Sequence, residues 1–327
     1  QALVSAYIPT QVLIRSILDE RSSPVKAALL WLTNPLVTYP DSKEVHRAFM
    51  KLDFIVVSEI FHTPTTAIAD IVLPVAADFE HEDIGYWPAW VGFARLYPKL
   101  VDPPGEAWSD MKIINELAKR VGLGEYFWED EYEALDYMLE PAGITYKEFR
   151  DKVKFLDRKI LYAPNKVLGY KTPSGKVEIY SDQLKALGYN PLPYFEELAK
   201  PLRGPFELTE EYPLIMTNAK DEVFFLSRYQ KVSLLHEVEP YPKVWLNMKT
   251  ANHLGLKEGD WIYIETKKGK AKQRLVVNPG IHPKVVITTF GWHGESNINL
   301  LTDSNPPYEF ATGTPTLRGV PCRVYKA

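Results

Sequence analysis

The residues most able to do chemistry lie in one short segment, "FEHEDIG", in which Glu80, His81, Glu82 and Asp83 are consecutive. Carboxylates and imidazoles are the side chains that bind metal ions or transfer protons. Neighbouring residues of a strand point to opposite faces, however, and those of a helix are rotated by about 100° from one another. Four consecutive side chains therefore do not converge on one ion. We interpret the segment as a solvated acidic loop, with metal binding as the less favoured alternative.

Other ligand-type residues are scattered along the 327-residue chain. The one cysteine, Cys322, can form neither an internal disulfide nor a Cys-x-x-Cys pair, and the histidines lack the spacing of a ligand pair. We therefore predict no catalytic residue and no metal ligand in this chain. The charges nearly balance, with 38 basic and 42 acidic residues in no long blocks, which argues against a nucleic-acid partner.

The elements that would position a site alternate between strand and helix in the first third of the chain. "KAALLWL" (26–32) and "DFIVV" (53–57) are short apolar runs, typical of strands that are covered on both faces. "SDMKIINELAKRVG" has the pattern of a helix with Ser109 as its N-cap. This alternation predicts an α/β layer with parallel strands.

The rest of the chain changes character twice. Residues 125–204 form a connector rich in Pro and Gly, with one predicted strand, "KVEIY". From 205 onward, β signals dominate around one short helix, which predicts a small barrel in 205–327. "KKGK" is its predicted hairpin turn, where Gly269 would need a positive φ. No apolar run reaches the roughly 20 residues of a membrane span, so we expect a soluble protein, either cytoplasmic or exported as part of a whole enzyme.

Three segments, in order, resemble the molybdopterin oxidoreductases of the dimethyl sulfoxide reductase superfamily. They are "WLTNPLVTYPDSKEVHRAFMKLDFIVVSEIFHTPTTAIADIVLP", "KTPSGKVEIYS" and "VWLNMKTANHLGLKEGDWIYIETKKGKAKQRLVV". The ending "SNINLLTDSNPPYEFATGTPTLRGVPCRVYKA" is most similar to the thiosulfate/polysulfide reductase and acetylene hydratase branch. The resemblance covers essentially the whole chain.

The resemblance implies an incomplete Rossmann-like parallel-sheet domain followed by a double-psi β-barrel. Residues 1–124 would be the partial dinucleotide-binding domain, 125–204 a connector packed on a missing N-terminal part, and 205–327 the molybdopterin dinucleotide-binding barrel. The family's iron–sulfur cysteines and metal ligand are absent from the sequence, so we expect them in a missing N-terminal half. That half, an iron–sulfur electron-transfer subunit and a small substrate are the expected partners, with no direct membrane span.

The implied cofactor is bis(molybdopterin guanine dinucleotide) with molybdenum or tungsten. Loops at the carboxyl ends of parallel strands are the natural place for a dinucleotide. Turns and caps are the ordinary roles of the same residue types, and the resemblance favours the dinucleotide. Lys220 stands near the family's usual arginine, and a lysine cannot make a bidentate contact with phosphate. The predicted cofactor-binding residues are Asn34, Pro35, Glu59, Thr63, Thr65, Asp70, Thr217, Lys220, Ser227, Arg228, Asn297 and Asn299.

The resemblance predicts that the chain is the cofactor-cradle part of a molybdenum or tungsten oxidoreductase acting on a small inorganic sulfur compound or a similar substrate. One alternative is a hydratase of the same branch, which uses its metal as a Lewis acid on bound water. A second alternative is a cofactor-binding or scaffolding fragment without catalysis. Each alternative predicts that this chain by itself is inactive.

Overall fold

The computed structural model describes residues 8–19, 24–85, 93–157, 165–192, 208–305, 308–309, 314–315 and 317–327. These residues belong to two compact units. The first unit comprises the described parts of 1–57, 61–71 and 180–327, and the second comprises those of 58–60 and 72–179. The domain boundaries after residues 124 and 204 stay predictions.

Strands and helices occur in both units. The strands within the described residues are β1 Ala27–Trp31, β2 Phe54–Glu59, β3 Ile71–Pro74, β4 Asp83–Gly85, β5 Phe93–Tyr97, β6 Phe155–Asp157, β7 Leu214–Ala219, β8 Lys243–Leu246, β9 Trp261–Glu265, β10 Lys270–Val277, β11 Val285–Thr289, β12 Tyr308–Glu309, β13 Thr314–Pro315 and β14 Val320–Lys326. The α-helices within the same residues are α1 Thr10–Asp19, α2 Pro35–Thr38, α3 Ser42–Phe49, α4 Asp110–Arg120, α5 Glu131–Leu139, α6 Tyr146–Glu148, α7 Asn165–Leu168, α8 Asp182–Ala186, α9 Ser233–Val238 and α10 Met248–His253.

A three-stranded sheet has the order β1-β2-β3, and β1 and residues 54–57 of β2 belong to the first unit. Helices α2 and α3 connect β1 to β2, which is the crossover that parallel strands need. Ile55 and Val57 of β2 are buried in a core with residues of α1 and α3. Because side chains alternate along a strand, Phe54 and, on β1, Leu29 point to the other face. They are 42% and 45% exposed, so the described helices cover one face of this part of the sheet.

The second part of the same unit is a closed barrel with the strand order β10-β8-β11-β7-β14-β9. Two of its neighbouring pairs, β10–β8 and β11–β7, are parallel, and the other pairs are antiparallel. The inward side chains of each strand meet in one apolar core, in which Met216, Ile264, Leu275 and Val286 are fully buried. The predicted barrel is confirmed. Its alternating pattern arises because every second residue of each strand faces this core.

The hairpin between β9 and β10 corrects one expectation. Gly269 is absent from the described residues with positive φ, so the prediction of a left-handed glycine was wrong. The constraint is instead the space around the glycine. A Cβ atom on Gly269 would lie 2.8 Å from the carbonyl oxygen of Leu300 and 3.2 Å from the Nζ atom of Lys43. A loop that is distant in sequence therefore leaves room only for a glycine at this position.

An outward-facing cluster on β9 and β14 predicts a pH dependence of barrel stability. Tyr325 Oη donates to Glu265 Oε2 over 2.7 Å, and Arg323 donates to Glu265 Oε1 over 2.8 Å. The bond to Glu265, followed by burial, raises the pKa of Tyr325 to about 12 from 10.0. A pKa that is higher in the folded than in the unfolded protein stabilises the fold. This contribution is fully present at a pH below the unfolded-state pKa, and it is lost as pH rises through the folded-state pKa.

We expect the stability difference between the unsubstituted protein and Tyr325→Phe to be largest near pH 9 and to shrink as pH approaches about 12. Urea unfolding at several pH values measures that difference. Tyr229→Phe, at a tyrosine that is 47% exposed, is the control. A difference that stays constant with pH would contradict the assignment.

The second unit contains a three-stranded sheet in the order β4-β5-β6, with both neighbouring pairs antiparallel. Its core joins Ile84 of β4 to α5, α6 and Phe149. Helix α4 is capped as predicted, because Ser109 Oγ accepts a hydrogen bond from Lys112 N over 3.1 Å. Residues 176–180, the predicted strand "KVEIY", form no strand and are exposed, so that prediction was wrong.

Candidate functional site

The candidate site begins where β1 ends, at the corner that leads into α2. Asn34 and Thr65 are both buried, and Thr65 Oγ1 accepts a hydrogen bond from Leu36 N over 3.4 Å. The single hydroxyl proton of Thr65 is therefore free to be donated to Asn34 Oδ1, which lies 2.6 Å away. This geometry engages the carbonyl side of the Asn34 amide. The NH2 group of Asn34 has no hydrogen-bond partner within the described parts of the chain.

A second donor belongs to the same end of β1. The indole nitrogen of Trp31, the last residue of the strand, is buried and has no hydrogen-bond partner among the described residues. Buried donors without acceptors are rare in native proteins, because each costs free energy. Trp31 Nε1 is such a donor, and together with the unpartnered Asn34 Nδ2 it fits a ligand that is rich in acceptors, such as a dinucleotide with its phosphates and pterin carbonyls. Sequence reasoning missed Trp31, whose apolar ring made it look like ordinary core.

The remaining predicted residues around this sheet bond to the backbone nearby. Thr63 Oγ1 accepts from Thr66 N over 3.2 Å, and Asp70 Oδ2 accepts from Ile55 N over 2.7 Å. In the second unit, Glu59 Oε1 accepts from the next amide, Ile60 N, over 2.9 Å. The structure thus joins Asn34 to Thr65, which also bonds to Leu36 N, and Pro35 is the first residue of α2. Thr63 holds a local turn, whereas Asp70 links the segment before β3 to β2. Their roles toward a cofactor stay predictions.

In the barrel, the predicted residues lie on β7 and on the loop that follows it. The carbonyl oxygen of Thr217 accepts from Thr288 Oγ1 over 3.1 Å. Ser227 and Arg228 belong to a tight turn, in which Arg228 N donates to Phe225 O over 2.9 Å. The side chains of Lys220 and Arg228 are exposed and form no ion pair with a described residue. Lys220 Nζ lies 5.8 Å from the ring centroid of Phe225. Two cations on one loop that lack a carboxylate partner among the described residues are suited to phosphate groups.

A cluster that the sequence did not reveal lies beside this loop. Trp292 Nε1 donates to Asp221 Oδ2 over 3.0 Å, and the Trp292 ring makes edge contacts with Phe224 and His236. Burial is the main cause that raises the pKa of the Asp221 carboxyl. Burial also lowers the pKa of His293, as does the nearby charge of Lys231. The partners are 71 positions apart in sequence, which hides the cluster from any local pattern.

Asn297 and Asn299 are almost completely buried, at 5% and 1% exposure. Asn297 Nδ2 donates to Leu36 O over 3.0 Å, and Asn299 Nδ2 donates to Val37 O over 2.7 Å. Both amides thus contact α2, the helix that follows Asn34. Direct contact of these two residues with a pterin stays a prediction.

The acidic segment of the second unit is held by bonds within the chain. Glu80 Oε2 accepts from Ala77 N over 2.8 Å, and Asp83 Oδ1 accepts from Ile84 N over 2.7 Å. Glu82 Oε2 accepts from the buried Tyr146 Oη over 2.7 Å. Burial is the largest cause that raises the pKa of Asp83. No group of three or more His, Cys, Asp or Glu suited to a metal ion occurs among the residues that the structure describes.

Comparison with known proteins decides the family. Residues 2–120 match the Molybdopterin oxidoreductase family model, and residues 214–321 match the Molydopterin dinucleotide binding domain. The chain belongs to the molybdopterin oxidoreductase family. This family membership confirms the resemblance, and the sheet and closed barrel of the structure agree with the fold that it implies.

Two relatives and one solved structure show how far the match to this family extends. The acetylene hydratase of Syntrophotalea acetylenica is 36% identical over 279 residues, covering 84% of this chain and 38% of that protein. The molybdopterin-containing subunit of thiosulfate reductase from Salmonella typhimurium is 29% identical over 86% of this chain and 40% of its own length. The structure of acetylene hydratase from Pelobacter acetylenicus matches 97% of this chain and 46% of its own, with a TM-score of 0.85 and 31% identity.

The chain therefore spans less than half the length of these molybdopterin relatives. The dinucleotide-binding domain match supports a molybdopterin cofactor. Within the described ranges, no helix has the length and apolar character required to cross a membrane.

Proposed function

We propose that this chain forms part of the cradle for bis(molybdopterin guanine dinucleotide), with molybdenum or tungsten, in a larger oxidoreductase that acts on a small inorganic sulfur compound or a similar substrate. The observation that carries the proposal is the match of residues 214–321 to the dinucleotide-binding domain. When bound, the cofactor supplies the metal at which oxygen atoms or electrons are exchanged. The chain's own residues would bind and orient it.

The unpartnered donors suggest how each part of the cradle would act. Asn34 Nδ2 and Trp31 Nε1 would donate to pterin or phosphate oxygens at the end of β1. Lys220 and Arg228 would offset phosphate charge beside the barrel, with Arg228 able to form two parallel bonds where Lys220 acts as a point charge. The predicted contacts of Glu59, Thr63, Thr65, Asp70, Thr217 and Ser227 with the cofactor belong to the same proposal.

The alternative with direct support is a hydratase. The relative named acetylene hydratase is 36% identical, whereas the thiosulfate reductase subunit is 29% identical. A hydratase would use the same cradle and would need no net electron transfer. The third alternative, a silent scaffolding fragment, shares the fold and would lack the metal.

The proposed partners follow from the exposed apolar face of the sheet. Leu29 and Phe54 expose apolar surface on one face of the sheet, and surfaces of this kind are usually covered by other protein. We propose that the remainder of the enzyme, which would also carry the iron–sulfur cluster and the metal ligand, packs there. If the enzyme is an oxidoreductase, an iron–sulfur electron-transfer subunit would also belong to the assembly.

We expect the isolated chain to be inactive with reduced viologen dyes and thiosulfate, polysulfide, nitrate or dimethyl sulfoxide, and inactive in acetylene hydration. The physical reason is that it contains no cluster cysteines and no predicted metal ligand. The full-length protein, assayed in parallel, is the positive control. Turnover by the isolated chain with any of these substrates would contradict the proposal.

The decisive measurement on the full-length protein combines metal analysis with chromatography of the nucleotide released by acid. We expect molybdenum or tungsten together with guanine nucleotide at about two per metal. Thiosulfate reduction without acetylene hydration would select the oxidoreductase, and the reverse would select the hydratase. Absence of metal and pterin would favour the third alternative, a scaffolding fragment without catalysis.

A further inference from the structure

The loop after β11 holds the corner between α2 and α3 through contacts that span about 260 residues of sequence. Helix α2 has only four residues, so its last carbonyl groups have no partners within the helix. Asn297 donates to Leu36 O and Asn299 donates to Val37 O, at 3.0 and 2.7 Å. The two amides therefore cap the C-terminal end of α2 from another part of the fold.

The same loop also holds the residue that starts α3. Asp41 has a left-handed backbone, with φ 54°, and its carboxylate accepts from Glu44 N. Its own backbone N donates to Thr302 Oγ1 over 3.3 Å, and its carboxylate pairs with Lys268 Nζ over 2.8 Å. A left-handed aspartate costs free energy and persists where its surroundings fix it. These contacts supply that constraint.

The opposite end of α2 is fixed by Thr65, which accepts from Leu36 N and bonds to Asn34 Oδ1. The short helix is thus tied at its start to Asn34 and at its end to Asn297 and Asn299. A change at either end moves a single turn of helix. The orientation of the free Asn34 NH2 group consequently depends on side chains that follow β11.

We propose that Asn297 and Asn299 are positioning residues, which fix α2 and through it aim the Asn34 amide at the bound dinucleotide. The inference rests on the proposed function for its ligand. The amide nitrogens of both residues already donate to protein acceptors, in the case of Asn297 to Ser42 Oγ as well as to Leu36 O. They act on the cofactor through Asn34.

The first test is hydrogen exchange, measured by mass spectrometry on the full-length enzyme that carries this chain. Asn299→Ala should accelerate exchange in residues 35–39 by about tenfold, as expected when one buried hydrogen bond is lost. Exchange in β9 and β10 should not change. Asn252→Ala, at an exposed asparagine of the barrel, is the matched control. Unchanged protection of 35–39 in a folded Asn299→Ala enzyme would overturn the proposal.

A second variant covers the case in which Asn299→Ala does not fold. Thr302→Val removes the hydroxyl that donates to Asn299 Oδ1 at 3.1 Å and accepts from Asp41 N at 3.3 Å, and it leaves both capping amides in place. It should produce a smaller acceleration in the same residues, 35–39. Acceleration spread evenly over the barrel instead would contradict the proposal.

The second test asks whether Asn299 acts through Asn34. Asn34→Ser removes the NH2 donor and keeps a side chain that is suited to this position before a helix. Asn299→Ala should speed the loss of guanine-containing cofactor in mild urea by about tenfold when Asn34 is present, and by less than twofold in the Asn34→Ser background. An equal acceleration in both backgrounds would indicate an independent contact and overturn the proposal.

The two tests also separate this inference from the proposed function. If the unsubstituted enzyme contains no guanine nucleotide, the proposed function fails, and with it the role of Asn34 toward the dinucleotide. The exchange result in 35–39 still decides whether Asn299 fixes α2. If the nucleotide is present and the effects of the two substitutions are additive, the proposed function stands and the positioning role is wrong.

Discussion

Replacing Gly291 by alanine is expected to destabilise the first unit, which contains the barrel, by about 3 kcal/mol or more. The strain of a left-handed backbone at a non-glycine residue and the overpacking by the new Cβ atom add together. Gly291 has φ +96°, and a Cβ atom there would lie 1.9 Å from the carbonyl oxygen of Leu226 and 3.1 Å from Ser227 N. The atoms in the way are backbone, so no side-chain rotation relieves the clash. Gln230 Nε2 also donates to Gly291 O over 2.9 Å, which ties the glycine to the same loop.

Gly294 provides a matched control for this substitution. It also has a positive φ, +63°, but a Cβ atom there would meet nothing within 4 Å. Gly294→Ala therefore introduces only the backbone strain, about 1 kcal/mol. Urea unfolding followed by circular dichroism gives both free energies of unfolding. Equal losses in the two variants would show that the close approach to Leu226 has no energetic role.

The Gly291 clash also has a functional consequence. Relief of the clash must shift the turn that contains Ser227 and Arg228, the proposed phosphate contact. We expect Gly291→Ala to weaken cofactor retention more than Gly294→Ala does.

The sequence predicted the elements of the fold better than their long-range contacts. Local patterns correctly indicated α4 with its Ser109 cap and the β-rich barrel, because capping and alternation act over a few residues. The pattern failed for "KVEIY", whose alternation resembles a strand although no strand among the described residues pairs with it. A strand needs partners, and those are set by the tertiary fold.

The candidate site was only partly predictable for the same reason. Asn34 could be named as a candidate from the sequence because it follows a predicted strand. The use of Asn297 and Asn299 as caps for α2 depends on residues about 260 positions away, which no spacing reveals. Gly269 is a similar case. The carbonyl group of Leu300, which lies next to it in space, requires a glycine there, and the local turn does not.

The second large effect is expected at Tyr146, the buried partner of the acidic segment. Tyr146 is 1% exposed, and its ring packs with Leu135, Leu139 and Phe149 in the core of the second unit. Tyr146→Ala should therefore cost about 3–5 kcal/mol, the range for removing a large buried aromatic ring. Tyr126→Ala is the control, because Tyr126 is 71% exposed and should change stability by less than about 0.5 kcal/mol.

A smaller substitution isolates the polar contact. Tyr146 Oη donates to Glu82 Oε2 over 2.7 Å, and the same oxygen accepts from Lys99 N over 3.1 Å. Burial, followed by the bond to Glu82, raises the pKa of Tyr146, so the hydroxyl stays protonated and remains a donor. Tyr146→Phe keeps the ring and leaves this carboxylate with one bond fewer, at a cost of about 1–3 kcal/mol.

The double-mutant cycle of Tyr146→Phe and Glu82→Gln then decides what the acidic segment does. If Glu82 is a structural acceptor, the two losses in free energy of unfolding are coupled by at least about 0.5 kcal/mol. Hydrogen exchange of β4 and β5 locates the loss in the second unit, and the metal content of the full-length enzyme should be the same in all four proteins. Additive losses, or a loss of metal in Glu82→Gln, would contradict the structural role and favour the alternative that "FEHEDIG" binds an ion.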